Sequence, residues 1–511
     1  MAQVGFSRYH YGKPLLSAIG GTPGVSAVNL ILGDQLFADI SALPPGPVVM
    51  VEDLDLARHY RYHAHKLVLT FAAMREFAAR HPGRVHYFPL EARISIPQAL
   101  AQTLQASQAQ EVHTYEPADA FFARQLRTWA QTQGITLREH PNPMFLTPAE
   151  EWQNYRAHHK RLLMADFYKR QRRRLGILLD DHQEPLGGQW SYDTENRKPL
   201  PARLQPPAVM PPALTPITRE VIALVKDHFP EAAGDPASFA FPVTPAQAED
   251  WLDDFLEYRL DLFGDYEDAL PPQERTVFHS LLTPMLNIGL LTPAQVIEAT
   301  LARHARRPVP LNSLEGFIRQ VIGWREFVRG IAREEPAVQR TFPHHRRLTP
   351  AWENAATGLP PLDRSLARAR DHGWCHHIER LMVIGAVMFM CEVDPEEVYR
   401  YFMEMFVDAS EWVMGPNVFG MSQCASAGAF ATKPYFSGSA YIRRMSGEPA
   451  GPWCDVWDGL YWRTIARNRD FFAQNQRMSQ AVRGYERLEP TRRDRILAAA
   501  EGFVESVTVA G

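Results

Sequence analysis

The chain has 511 residues, of which 45% are hydrophobic and 22% charged, and its net charge is −4. That length exceeds what one hydrophobic core accommodates, so two or three domains are expected in an ordinary globular composition. The slight negative charge excludes a global attraction for nucleic acid, and any phosphate-binding face must be local. No run of about 18 uncharged apolar residues occurs, so no membrane span is expected. The opening MAQVGFSRYHYGKPLLSAIGGTPGVSAV has no continuous apolar segment and does not resemble a secretory signal. Four cysteines, at 375, 391, 424 and 454, lie far apart and form no CxxC. Reduced thiols in a monomeric cytoplasmic protein are the expectation.

Residues 1–26 read as a loose N-terminal extension. From 27 to 145 strands and helices alternate. VNLILGDQLF and PVVMVED read as buried parallel strands, followed by the helix HKLVLTFAAMREFAARH and the strand RVHYFPL. ISIPQALAQTLQASQAQ is a helix, EVHTYEP a strand, PADAFFARQLRTWAQTQG a helix stopped by glycine, and ITLREH a last strand. The alternation predicts an α/β domain with a doubly wound parallel sheet. A ligand there would sit at the carboxyl ends of the strands, near Gly33-Asp34-Gln35 and Glu52-Asp53. No GxGxxG occurs, so a dinucleotide fingerprint is absent. His59, His63 and His65 in HYRYHAHK have no acidic partner at close range to complete a metal set.

Residues 146–242 mix short helices with the Pro- and Gly-rich EPLGGQWSYDTENRKPLPARLQPPAVMPPALTP, which reads as an interdomain linker. WSYDTENRK is too rich in aromatic and charged groups for a spacer, as loops that carry function often are. Residues 243–511 are helical almost throughout, opening with the Thr-capped TPAQAEDWLDDFLEYRL. Arginines and tryptophans sit inside otherwise apolar helices, and buried arginines require anionic partners, carboxylates or ligand phosphates. The densest stretch runs from Trp374 to Ser446, where WCHHIERLM and PNVFGMSQCASAGAFATKPYFSGSAYIRRMS gather histidines, arginine, carboxylate, amides and tyrosines. That inventory suits a buried polar pocket beside a cofactor.

LILGDQL, GGQWSYDTENRKPLP, FGDYEDAL, HSLLTPMLNIGLL, EGFIRQVIGWREFVRG, HHIERLMV and PNVFGMSQ…ATKPY…YIRRMS occur in that order. Together they resemble the prokaryotic (6-4) photolyase branch of the photolyase/cryptochrome family, over nearly the whole chain from residue 27. The resemblance implies an N-terminal Rossmann-like domain and a large all-α domain holding FAD. It implies light-driven electron transfer from reduced flavin to a (6-4) photoproduct flipped out of damaged DNA. The alternative within the same family is a blue-light cryptochrome that binds FAD without repair.

The resemblance carries roles onto individual residues. Tyr266 and the run His279, Ser280, Leu281, Leu282 and Thr283 match positions that grip the FAD phosphates and ribityl chain. Arg325 and Arg380 match arginines of the flavin pocket, with Asp408 as the partner of Arg380 and Met414 at the position facing flavin N5. His377 matches the catalytic histidine and His376 its neighbour, while Tyr435 and Tyr441 match tyrosines of the lesion pocket. Asp193 and Arg197 match a loop that reaches over the DNA-facing mouth.

The chain also departs from the pattern. Relatives carry a [4Fe–4S] cluster on four cysteines, whereas here Pro361-Leu362 supplies none, MSGEPAGPWC holds no CxxC, Cys454 is displaced by one residue from a ligand position, and no cluster is expected. The aromatic pair of the electron path becomes Tyr401-Phe402, with Trp352 as an outer station. Relatives bind a ribityl lumazine antenna; Asp34 and Glu52 remain as anchors, but His59 and Leu56 stand where tyrosine and glutamate would be.

Overall fold

The computed structural model describes residues 27–334, 338, 341–425, 434–474 and 478–511. The N-terminal extension and the Ala431-Thr432-Lys433 part of the ATKPY run lie outside the described residues. Backbone proximity divides the chain into two units, residues up to 59 with 74–142, and residues 60–73 with 143–511.

The first unit is a five-stranded, wholly parallel sheet of β1 (Ala27–Leu30), β2 (Val48–Val51), β3 (Val85–Phe88), β4 (Glu111–Tyr115) and β5 (Thr136–His140), in the order β3-β2-β1-β4-β5. Helix Ile96–Ser107 starts at a capping box, in which Ser95 and Gln98 each accept the other's backbone N–H, and helix Ala120–Gln133 stops at Gly134 with φ +67°. Leu100, Leu104 and Leu126 of these helices bury against Val28, Leu30, Val49 and Val112 of the sheet.

Strand order reverses between β1 and β4, the usual place for a ligand in such sheets. Here internal hydrogen bonds occupy much of that region. Gln35 donates to the Tyr115 carbonyl at 3.0 Å. Glu52 is buried and takes both Arg75 guanidinium N–H groups, the Tyr87 hydroxyl and the Leu90 N–H. Asp53 caps the turn at 55–56 and accepts from Ile96 N. The carboxylate of Glu52 is therefore committed to its own unit rather than presented as an antenna anchor.

Among the described residues the second unit is mainly helical, with one short antiparallel strand pair, Arg347–Leu348 with Thr508–Val509. It includes two stretches that the sequence reading put elsewhere. Segment 146–242, read as a linker between domains, belongs to this unit, and the short helices expected in it are Ala149–His158, Met164–Leu175 and Pro216–His228. Trp152, Tyr155 and Phe167 bury against Phe327 and Ile331, which ties the segment to the helical core. Residues 60–73, expected with the sheet, belong here because His63 and His65 are fixed within this unit. The His63 N–H donates to the Glu404 carbonyl at 2.7 Å, and the rings bond the carbonyls of Arg370, His372 and Asp235. Both rings are thereby occupied by backbone, and the described residues hold no group of three or more ligand-type side chains fit for a metal ion.

Trp352 is also placed differently from expectation. It is fully buried and donates Nε1–H to the Val507 carbonyl at 2.8 Å. An outer electron station needs contact with solvent, so Trp352 is an interior residue instead.

Candidate functional site: a polar cavity among three π-helical segments

Helix Leu311–Ile318 continues through Arg319–Arg325 into Glu326–Arg333 without leaving right-handed backbone, but its middle third is π-helical. Glu379–Gly385, which runs on into helix Ala386–Met390, and Pro416–Ser422, which continues Glu411–Gly415, are π-helical too. The wider i→i+5 turn is rare and occurs often at functional sites, since it re-aims side chains that α-helical spacing would send elsewhere. All three segments line one cavity of about 300 Å³, through Gln320, Arg380 and Leu381, and Asn417, Val418, Met421 and Ser422. Two of them cross at Gly385, where a Cβ would stand 2.3 Å from Ser422 Oγ and 3.0 Å from the Arg380 carbonyl. A third close approach brings in the FGDYEDAL run: a Cβ on Gly264 would lie 2.6 Å from backbone atoms of Asn312 and Ser313.

Arg380 and Asp408 form the charged part of the cavity. The guanidinium donates to both carboxylate oxygens, at 2.8 and 3.2 Å, and through Nε to the Cys375 carbonyl at 2.8 Å. Its cation lies 4.1 Å from the Phe406 ring centre. Burial opposes the charge on Arg380, but Asp408 outweighs it and holds the guanidinium above its ordinary value. Breaking such a buried pair by removing one partner costs about 3–5 kcal/mol, because the other charge stays buried and alone. Asn287 extends the set, donating to the Asp408 carbonyl at 2.8 Å and accepting from Arg325 at 2.6 Å. Arg325 is off the cavity lining, 4.8 Å from the Trp412 ring centre, and burial pushes it down to about 10.

Three histidines meet beside this pair. His279 and His376 stack with ring centres 4.7 Å apart, and His377 meets His279 edge-on at 6.1 Å. His279 bonds the Glu267 carbonyl at 3.0 Å, and burial, reinforced by His377, drives it down to about 3. His376 is 1% exposed, and burial with the neighbouring His279 pushes it well below its ordinary value. Both are therefore neutral at pH 7. His377 differs: it is exposed, opening onto the cavity that it lines. Enclosure by protein lowers it, and the negative charge of Asp268 works in the opposite sense. Burial in turn pushes Asp268 up to about 6, against the pull of His377.

A loop at 190–198 is tied to the same walls. Asp193 pairs with Arg197 and, at 3.3 Å, with the buried Arg319, which also meets Glu315 at 3.2 Å. Asn196 donates to Glu267 at 2.9 Å, and Gln320 donates to the other carboxylate oxygen at 2.8 Å. Burial pushes Glu267 up to about 7 even though Arg319 pulls it down.

Of the residues singled out from the sequence, His279, Ser280, Leu281, Thr283, Arg380, Asp408, Met414, His376 and His377 line the cavity. Leu281 does so with φ +54°, a strained conformation for a branched residue. Tyr266 leans on Phe278 and Leu282 is buried, both off the cavity lining. Tyr441 is half-buried and outside the lining, and burial, with the Asp268 charge, raises its phenol. Tyr435 is half-buried and outside the lining. Tyr401 is buried with a hydroxyl that finds no partner, while its neighbour Phe402 reaches the cavity. Asp268, Glu267, Gln320 and Trp374 were missed as site residues. The consecutive acids of FGDYEDAL, next to apolar residues, were the signal available for the first two.

A parallel-sheet unit and a helical unit enclosing a polar, cofactor-sized cavity define a two-part ligand-binding architecture, and comparison with known proteins gives it a family. Residues 29–241 match the model of the deoxyribodipyrimidine photo-lyase-related proteins, and residues 317–448 match the FAD binding domain of DNA photolyase. The (6-4) photolyase of Agrobacterium fabrum is 32% identical over 507 residues, covering 94% of this chain and all of that protein. The deoxyribodipyrimidine photo-lyase of Escherichia coli is 28% identical over 227 residues, covering 41% of this chain and 44% of that protein. Two crystal structures share the fold. A bacterial class III photolyase from Agrobacterium tumefaciens has TM-score 0.55 at 17% identity, covering 94% of this chain and 98% of that one. A Synechocystis cryptochrome has TM-score 0.58 at 14% identity, covering 94% and 99%. The chain belongs to the photolyase/cryptochrome family.

Proposed function

We propose that this protein is a light-driven DNA repair enzyme that reverts (6-4) pyrimidine photoproducts, with FAD in the cavity and the flipped lesion against His377. One observation carries the reading: a single cavity joins the bidentate Arg380–Asp408 pair to an exposed histidine within reach of the Asp268 charge.

The residues present fit a flavin. The cavity mixes aromatic walls, Phe263, Phe317 and Trp374, with a fixed ion pair and neutral histidines, which suits a planar, partly polar ring system. His279, Ser280, Leu281 and Thr283 would hold the phosphate and ribityl side, and Arg380, Asp408, Met414 and Asn417 the ring. When bound and reduced, the flavin supplies the photoexcited electron.

The protein's own residues supply the proton and the position. His377 donates a proton to the lesion, and the Asp268 charge keeps its pKa from falling further under enclosure. Tyr441 offers an aromatic face on which a flipped base can stack. Arg197, with the exposed Arg443 and Arg444, supplies the local positive charge that the net charge lacks. The 190–198 loop, held by Arg319 and Glu267, carries Arg197 to that face.

The test is illumination of the reduced holoprotein with an oligonucleotide carrying one (6-4) lesion. Wild type should restore the pyrimidines, and His377→Ala should lose about 10²–10⁴-fold in rate with its flavin content unchanged. Repair of cyclobutane dimers but not of (6-4) lesions would move the substrate assignment. A light-induced change in oligomeric state without turnover would establish signalling in place of repair.

A further inference from the structure

Two buried polar atoms near the cavity lack hydrogen-bond partners and face one another. His376 has both ring nitrogens buried and unbonded. Glu379, 2% exposed, has its Oε2 buried and unbonded, 3.7 Å from His376 Nε2. The other oxygen of the same carboxyl, Oε1, is held by Arg368 at 2.7 Å and by Ser365 at 3.1 Å. Arg368 is fixed in turn by the carbonyls of Pro271 and Pro272 at 3.1 and 2.8 Å. A carboxyl anchored through one oxygen, with the other turned to an unsatisfied imidazole, is the arrangement that selects a histidine tautomer.

We propose that Glu379 is a positioning residue for His376, its Oε2 accepting the Nε2 proton so that Nδ1 is left unprotonated. A settling of less than 1 Å from the present 3.7 Å brings the two atoms to hydrogen-bond distance and satisfies both. The tautomer follows from charge. The Arg368 guanidinium on Oε1 at 2.7 Å favours the carboxylate form while burial works against it, and a carboxylate Oε2 accepts, so the neutral imidazole donates. His376 stacks on His279 and precedes His377, so its fixed ring orientation sets the packing behind the residue that meets the lesion. That last consequence rests on the repair function proposed above; the tautomer itself does not.

A plain structural role is available to Glu379, because the His376 backbone N–H also faces its carboxyl at the start of this helix. The Glu379→Gln variant separates the two. Arg368 and Ser365 both donate at the Oε1 position, so the amide oxygen settles there and the NH2 group turns to His376. Nε2 must then accept, and the tautomer inverts.

The experiment is 15N NMR of the dark, flavin-loaded protein labelled at histidine, with His376 assigned from a His376→Asn spectrum. Wild type should show a protonated Nε2 and a bare Nδ1, and Glu379→Gln should show the reverse, at unchanged flavin content. Repair by Glu379→Gln should fall on the order of tenfold or more, with DNA affinity retained. The same Nε2 state in wild type and Glu379→Gln, or a bare Nε2 in wild type, would overturn the proposal. Failure of wild type to repair would overturn the repair reading alone. Should Glu379→Gln not fold, Glu379→Asp provides the second variant: the shorter carboxyl should leave Nε2 unfixed, and an unaltered wild-type pattern there refutes the role.

Discussion

Asp268 and His377 show how two titratable groups tune each other at the scale of single residues. Enclosure lowers the imidazole and raises the carboxyl to about 6, while their mutual attraction works against both shifts. Above pH 6 Asp268 is ionised and its charge favours the imidazolium. In Asp268→Asn that support is gone, the His377 pKa falls further, and a smaller fraction is protonated at pH 7.5. We therefore expect the alkaline limb of the repair profile to move to lower pH, with about a tenfold loss at pH 7.5 for each unit by which the pKa falls. Below pH 6, where wild-type Asp268 is itself neutral, the two profiles should converge. Single-turnover repair measured from pH 5 to 9 checks both statements.

At the scale of elements, the crossing of Glu379–Gly385 with Pro416–Ser422 decides whether the cavity exists. Gly385 is required there by close approach, since Ser422 Oγ and the Arg380 carbonyl occupy the space a methyl group would take. We expect Gly385→Ala to lower stability by about 1–3 kcal/mol and to lose bound flavin, as over-packed sites do. Adding Ser422→Ala removes one of the two clashing atoms and should recover part of the loss, read from thermal melts and the flavin-to-protein absorbance ratio. The helices in this region were legible in their apolar periodicity. The π-helical register was not, because a wider turn is stabilised by tertiary packing and leaves no separate spacing signal.

The cysteines set an expectation for the whole molecule. Cys375, Cys391 and Cys424 are buried, and burial drives Cys391 up to about 12 and Cys424 to about 11. Protonated, separated thiols are poor ligands for a cluster that needs four thiolates. Purified protein should contain well under one iron per chain, and a value near four by elemental analysis would overturn this. Trp457 and Leu362 are both fully buried in the core of the helical unit.

Local pattern by itself determined the alternation of parallel strands and helices, the capped helix starts, and the motif series that carries the family resemblance. These depend on side-chain period and turn chemistry within a few residues, so a linear reading finds them. Tertiary structure alone decided which polar groups face one another. Residues 146–242 read as a linker because their prolines and glycines are local, whereas the burial of Trp152 and Phe167 is not. Trp352 and Glu52 had the right chemistry for an electron station and an antenna anchor, but one is interior and the other is taken by Arg75 and Tyr87. The influence of the Asp268 charge on His377, and Glu379 turned to His376 while Arg368 holds its other oxygen, depend on burial and direction. Sequence spacing carries neither quantity, and both fix the proton positions on which the chemistry of the cavity depends.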